Sequence, residues 1–164
     1  MQLLHIQQAH HGEGALDEAQ VHEQAQGAAE GFAAGADALV AGVVPTPGIA
    51  YLSRKYHCDA GVMISASHNS YEFNGIKFFS SDGYKLPDAT EDRIECLIEA
   101  YDAETVDRPT GSAVGRRLEK RNAARDYAEH LKRRMSVDLS GLKIGLDCAN
   151  GASAAIAPGL DRKS

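Results

Sequence analysis

The residues best suited to chemistry lie between Gly61 and Lys85. There a short apolar run, Ala60–Ser65, gives way to Ser65-Ala66-Ser67-His68-Asn69, and Lys77 follows ten residues after Ser67. The stretch offers two hydroxyls, an imidazole, an amide and an ammonium. A serine hydroxyl is a weak nucleophile and needs a base or a metal beside it. Lys77 could neutralise a transferring phosphoryl group, or move a proton if burial depresses its pKa. A plainer reading of the same residues is a polar turn in which Ser and Asn cap backbone groups. Ser67 and His68 do not make a triad by adjacency, because neighbours along a strand point to opposite faces.

Such a loop needs a scaffold, and the sequence around it alternates strand and helix signals. Ala38–Val44 is an apolar run closed by Pro45-Thr46-Pro47-Gly48, a buried strand and turn. Gly48–Tyr56 reads as a short helix with Pro47 in its first turn. Ala60–Ser65 and Ile76–Phe79 read as two more strands. Thr90 is a suitable N-cap for a helix over Glu91–Tyr101, with Ile94, Leu97 and Ile98 on one face. Residues 103–118 are polar, carry Pro109, Gly111 and Gly115, and suit a linker or surface loop. Glu119–Met135 reads as a long helix with Ala124, Tyr127, Ala128 and Leu131 inward, and Leu142–Cys148 as the start of a new strand. The expected fold class is α/β, a mixed sheet with flanking helices.

Composition narrows the classes. The chain has 164 residues, 43% hydrophobic and 24% charged, which is globular and long enough for a core. The net charge of −6 argues against nucleic acid, whose phosphates call for clustered Lys and Arg. Arg116, Arg117, Lys120, Arg121 and Arg125 do cluster, but without interleaved aromatics, and read as a solvated helix face. No apolar run approaches the ~20 residues that span a bilayer. A cytoplasmic chain with no nucleic-acid and no membrane partner is expected, its oligomeric state open. Cys58, Cys96 and Cys148 are odd in number and form no Cys-x-x-Cys, so three reduced thiols are expected. Residues 1–53 hold six acids and no Lys or Arg, and residues 1–36 are rich in Ala, Gln, Gly and His. That opening reads as solvated helix or loose tail, and His5, His10, His11 and His22 lack partners at ligand spacing. Phosphate-loop, Gly-x-Gly-x-x-Gly, His-Glu-x-x-His and Gly-x-Ser-x-Gly motifs are absent.

Four pieces carry a resemblance: GVVPTPGIAYL, DAGVMISASHN, ISASHNSYEFNGIKFFSSDGYKLPD and LKIGLDCANGAS. In order and spacing they resemble the α-D-phosphohexomutase superfamily, and their wording favours its phosphoglucosamine branch over the phosphomannomutase and phosphoglucomutase branches. The resemblance runs from about residue 29 to Pro158. It implies domain I of a phosphohexomutase over 29–118, a linking helix over 119–138 and the start of domain II over 139–164, after an unaligned segment 1–28. It implies conversion of glucosamine 6-phosphate to glucosamine 1-phosphate through a phosphoserine and a bisphosphate intermediate. The catalytic residues it implies are Ser67, Lys77 and His68, with Asn69 at the substrate. It also implies Mg²⁺ on the phosphate of Ser67, the hexosamine phosphate being the partner.

Departures from that pattern are equally specific. Ser70 stands where the family has proline, which loosens the turn without removing a reacting group. The family's Gly-Thr-Asp-Gly-Ile-Arg-Gly, Asp-Gly-Asp-Gly-Asp-Arg and Glu-x-Ser-Gly loops do not occur. The expectation is an incomplete relative, truncated or frame-disrupted, without mutase turnover by itself. A non-catalytic fragment that associates through exposed strand edges and a sugar-phosphate binding module are the alternatives.

Overall fold

The computed structural model describes the backbone of residues 2–7, and residues 35–67, 69, 73–100, 109–135, 137–149 and 151–160. In chain order the strands are β1 (Gln2–Gln7), β2 (Asp37–Val43), β3 (Ala60–Ser65), β4 (Gly75–Ser80) and β5 (Arg117–Glu119). The helices are α1 (Thr46–Lys55), α2 (Asp88–Glu99), α3 (Ala123–Arg134) and α4 (Ala157–Leu160). The strands form one five-stranded sheet in the order β4-β3-β1-β2-β5. β1, β2, β3 and β5 run parallel and β4 is antiparallel to β3. The mixed α/β sheet expected from the sequence is therefore present.

One row across the sheet explains how it packs. Leu118, Leu39 and, beyond β1, Gly61 and Phe79 stand in register on four strands. Leu39 and Phe79 join Met63, Ile49, Leu52, Ala123 and Tyr127 in the buried cluster, with Leu118 packed against it. In α1 the apolar residues recur at helical spacing, Ile49 then Leu52, and both are fully buried. Gly61 lets that helix sit on β3: a Cβ there would lie 2.5 Å from Ser53 Oγ and 2.9 Å from Ile49 Cγ2. Gly83, at φ +80°, closes the turn after β4 where a Cβ would meet the Ala50 carbonyl oxygen.

A polar clamp fixes α1 against α3. Tyr56 donates its hydroxyl to Asp126 Oδ2 at 2.7 Å, Lys55 Nζ lies 3.2 Å from the same oxygen, and Tyr51 stacks on His130 at 3.9 Å. Burial pushes the Asp126 carboxyl up, but the Tyr56 hydroxyl and Lys55 ammonium outweigh it and hold the group below the ordinary carboxylate value. Burial and the same carboxylate push the Tyr56 hydroxyl up. At the other edge, Arg116 pins β5 to β2. Its backbone N–H donates to Asp37 Oδ1 at 2.8 Å and its guanidinium to Oδ2 at 2.7 Å.

Five local expectations are corrected. Residues 2–7 form the central strand, not solvated helix or loose tail: Leu3, Leu4 and Ile6 have strand character that the Gln/Ala/His bias of the wider segment conceals. The polar stretch 103–118 ends in a 3₁₀ turn at Gly111–Ala113 and the edge strand β5, because β2 offers a free ladder. The helix expected over Glu91–Tyr101 begins at Asp88, after Pro87, whose fixed φ of −58° sets the first turn. Its Leu97 and Ile98 are exposed rather than packed. Leu142–Cys148 is not a strand among the described residues and joins no ladder of the sheet. The helix expected over Glu119–Met135 is shorter, Ala123–Arg134, with Ala123 and Tyr127 buried and Leu131 packed beside them.

Candidate active site

β3 delivers the serine loop. Its parallel neighbour β1 ends beside it, Gln7 opposite Ile64. From there the chain leads from β1 to β2 on one side and from β3 to β4 on the other. In α/β sheets ligands gather beyond the carboxyl ends of the strands, where loops leave the ladder. Ser67 emerges at this place.

Ser65 and Ala66 are buried, whereas Ser67 and Asn69 are exposed. The backbone N–H of Ser67 donates to Ser65 Oγ at 2.9 Å, and that of Asn69 donates to the Ala66 carbonyl at 3.0 Å. Ser67 sits at φ +60°, in the left-handed region, a conformation that disfavours L-residues by about 1–2 kcal/mol. These bonds hold the turn in that conformation. The strand ends in this tight turn, and Ser67 on it is exposed.

β4 places Lys77 beside β3. The ladder pairs Ser65 with Gly75 and Met63 with Lys77. Lys77 therefore shares a sheet face with Ser65, two residues, roughly 7 Å, behind the last rung. Its side chain is exposed. Asn69 is placed on the turn, and His68 lies outside the described residues. The polar turn expected at Ser65–Asn69 is present, and Ser67 is exposed on it.

In the sequence one residue reads only as a turn former and another is not singled out. Ser65, the acceptor beneath the turn, has the signature of a hydroxyl two residues before the residue whose N–H it receives. Asn74, just before β4, has a buried Oδ1 with no partner among the described residues. Nothing in its local sequence separates it from an ordinary turn asparagine.

Mg²⁺ takes oxygen ligands and keeps them in strict geometry. Among the described residues no group of three or more His, Cys, Asp or Glu side chains comes together. The described residues by themselves do not fit the ion, and no step is assigned to it. Among the described residues no helix is long and apolar enough to cross a membrane.

The model of the phosphoglucomutase/phosphomannomutase alpha/beta/alpha domain I matches residues 21–105, just over half of the sequence. This chain belongs to the phosphoglucomutase/phosphomannomutase family. The matched range includes β2, α1, β3, the serine loop, β4 and α2. Within the family it is similar to the phosphoglucosamine mutase of Clostridium novyi (strain NT), 60% identical over 119 residues, 73% of this chain and 26% of the relative. The phosphoglucosamine mutase of Thermoanaerobacter sp. (strain X514) is 55% identical over 124 residues, 76% of this chain and 27% of the relative. The chain thus spans about a quarter of the length of these curated relatives. A crystal structure of a phosphoglucomutase/phosphomannomutase family protein from Burkholderia thailandensis shares the fold. Its TM-score is 0.63 at 23% identity, over 97% of this chain and 33% of that one.

Proposed function

We propose that this chain carries the phosphoryl-relay serine of a phosphoglucosamine mutase, interconverting glucosamine 6-phosphate and glucosamine 1-phosphate. The observation that carries the reading is Ser67: exposed, held at φ +60° beyond β3, in a chain 60% identical over 119 residues to a phosphoglucosamine mutase. Relatives bearing that name, at 52–60% identity, favour this branch over phosphomannomutase and phosphoglucomutase.

In this reading the phosphoryl group rests on Ser67 Oγ. The P–O bond to Oγ breaks as a bond to one sugar hydroxyl oxygen forms, and the hydroxyl's proton is released, with Oγ left to be reprotonated. The bisphosphate turns over in the site, and the other phosphoryl returns to Oγ by the reverse step. Lys77 is the side chain offered for moving the proton and for offsetting phosphoryl charge. His68 and Asn69 shape the turn, and Asn69 faces the sugar phosphate. A phosphoserine carries about −1.5 to −2 charges, so a cation must stand beside it before a second anion approaches. Mg²⁺ would supply that charge, and among the described residues no cluster of three acidic, His or Cys side chains would hold it. The reading carries with it a hexosamine phosphate as partner and a cytoplasmic location.

Phosphate-monoester chemistry has very high uncatalysed barriers, and enzymes lower them mostly by positioning and charge stabilisation. The 164-residue chain alone is therefore expected to show no mutase turnover in a coupled assay with glucosamine 6-phosphate, a bisphosphate activator and Mg²⁺. Grafting residues 60–86 into the matching place of the full-length Clostridium novyi relative tests the site itself. The graft is expected to turn over, and Ser67→Ala within it to abolish turnover. A folded graft without activity, or one indifferent to Ser67→Ala, overturns the reading.

A further inference from the structure

Asn74 stands one residue before β4 and buries a polar atom among neighbours that are exposed. Phe73 before it and Gly75, Ile76 and Lys77 after it are all exposed, yet Asn74 Oδ1 is buried and meets no hydrogen-bond donor among the described residues. An inward position beside a sheet ordinarily takes an apolar side chain. A buried acceptor without a donor costs free energy, and few native structures keep one without a use for it. The atoms that cover Oδ1 belong to this chain, so no other domain reaches it as it stands.

Its place ties it to Ser67. The antiparallel register ends at Ser65 and Gly75, and one further step sets Asn74 beside Ala66, the residue before Ser67. Ala66 is buried, and its carbonyl accepts the Asn69 N–H that closes the turn. A second cost sits at the same spot, Ser67 at φ +60°. Costs of this kind gather where a structure is set for a task rather than for stability.

Resting on the reading of Ser67 as the phosphoryl relay, we propose that Asn74 is a positioning residue for it. Its carboxamide is held dry beside the turn and pairs with the turn's backbone only when Ser67 carries the phosphoryl group. Loading adds a dianion with three acceptor oxygens, which compete for the turn's N–H groups. The turn must then reorder its bonds, and Asn74 supplies both partners on the spot: Oδ1 for an N–H turned inward, Nδ2 for a carbonyl left without a donor. Pairing favours the loaded turn over the empty one and fixes the direction in which the phosphoryl group is offered.

The test uses the full-length graft carrying residues 60–86. Asn74→Leu keeps the shape and removes both polar atoms. It is expected to lower kcat about 10- to 100-fold and to change KM by less than about threefold, because the loss falls on the transfer step and not on sugar-phosphate binding. In the 164-residue chain the same change should leave the urea midpoint at or above the parent's, because an unpaired buried oxygen is removed. Turnover down without stability down separates positioning from packing. Asn74→Asp keeps an acceptor and, once protonated, regains a donor, so its kcat relative to the parent graft should climb as pH falls. Asn74→Leu within about twofold of the parent kcat, a loss confined to KM, or a loss matched by a lower urea midpoint overturns the proposal. An inactive parent graft overturns the relay reading and this inference with it, whereas an active graft indifferent to Asn74 overturns this inference alone. Should Asn74→Leu fail to fold by circular dichroism, the pH profile of Asn74→Asp still decides, a flat ratio counting against the proposal.

Discussion

The buried hydroxyl of Ser65 accepts the backbone N–H of Ser67 at 2.9 Å. This bond joins the last residue of β3 to the residue that must stand out from it, across a turn whose central backbone is left-handed at Ser67. Ser65→Ala is expected to destabilise the chain by about 1 kcal/mol, the usual net worth of one hydrogen bond. Ser65→Thr should keep most of it. Urea unfolding of both variants, with amide exchange at Ser67 as the local readout, checks this. Equal protection of Ser67 in Ser65→Ala and the parent chain would contradict it.

Gly61 decides how closely α1 approaches β3. A methyl group there meets Ser53 and Ile49 well inside contact distance, and both are fully buried side chains with little room to move. Gly61→Ala should lower stability by about 1–3 kcal/mol, the range for overpacked cores. The measurement is the shift in urea midpoint, with the slope unchanged.

The clamp between α1 and α3 has a defined pH signature. The folded-state pKa of Asp126 is depressed, so its contribution is present above the ordinary carboxylate value of 3.8 and disappears as pH falls through the folded value. The folded-state pKa of Tyr56 is raised, so its contribution holds below the ordinary value of 10.0 and declines as pH rises beyond it. Stability against pH should therefore fall on both limbs. Tyr56→Phe should flatten the alkaline limb and weaken the acid one. Asp126→Asn should flatten the acid limb. Thermal melts of the two variants across the pH range test the assignment, and unchanged limbs would refute it.

The three thiols should separate by reactivity. Cys58 is buried, and burial pushes its pKa up to about 11, so little thiolate forms at neutral pH. Cys96 is exposed on α2. Alkylation of the native chain is expected to label Cys96 quickly and Cys58 only after denaturation, as peptide mass spectrometry would read. Fast labelling of Cys58 in the folded chain would contradict its place in the core.

Sequence alone determined the strands and helices whose apolar spacing is their own: β3 at Ala60–Ser65, β4 around Ile76–Phe79, α1, read over Gly48–Tyr56 and found over Thr46–Lys55, and the Tyr127 face of α3. It also determined the order of motifs through Ser67, because those residues are contiguous. Tertiary structure decided what depends on partners distant in the chain. The six residues of β1 are central only because β2 and β3 flank them, and Arg117–Glu119 is a strand only because Asp37 anchors Arg116 beside β2. Leu142–Cys148, with a better strand pattern than β5, joins no ladder of this sheet. Pattern records what a segment can bury or pair, whereas a strand exists only where a neighbour supplies the other half of its hydrogen bonds.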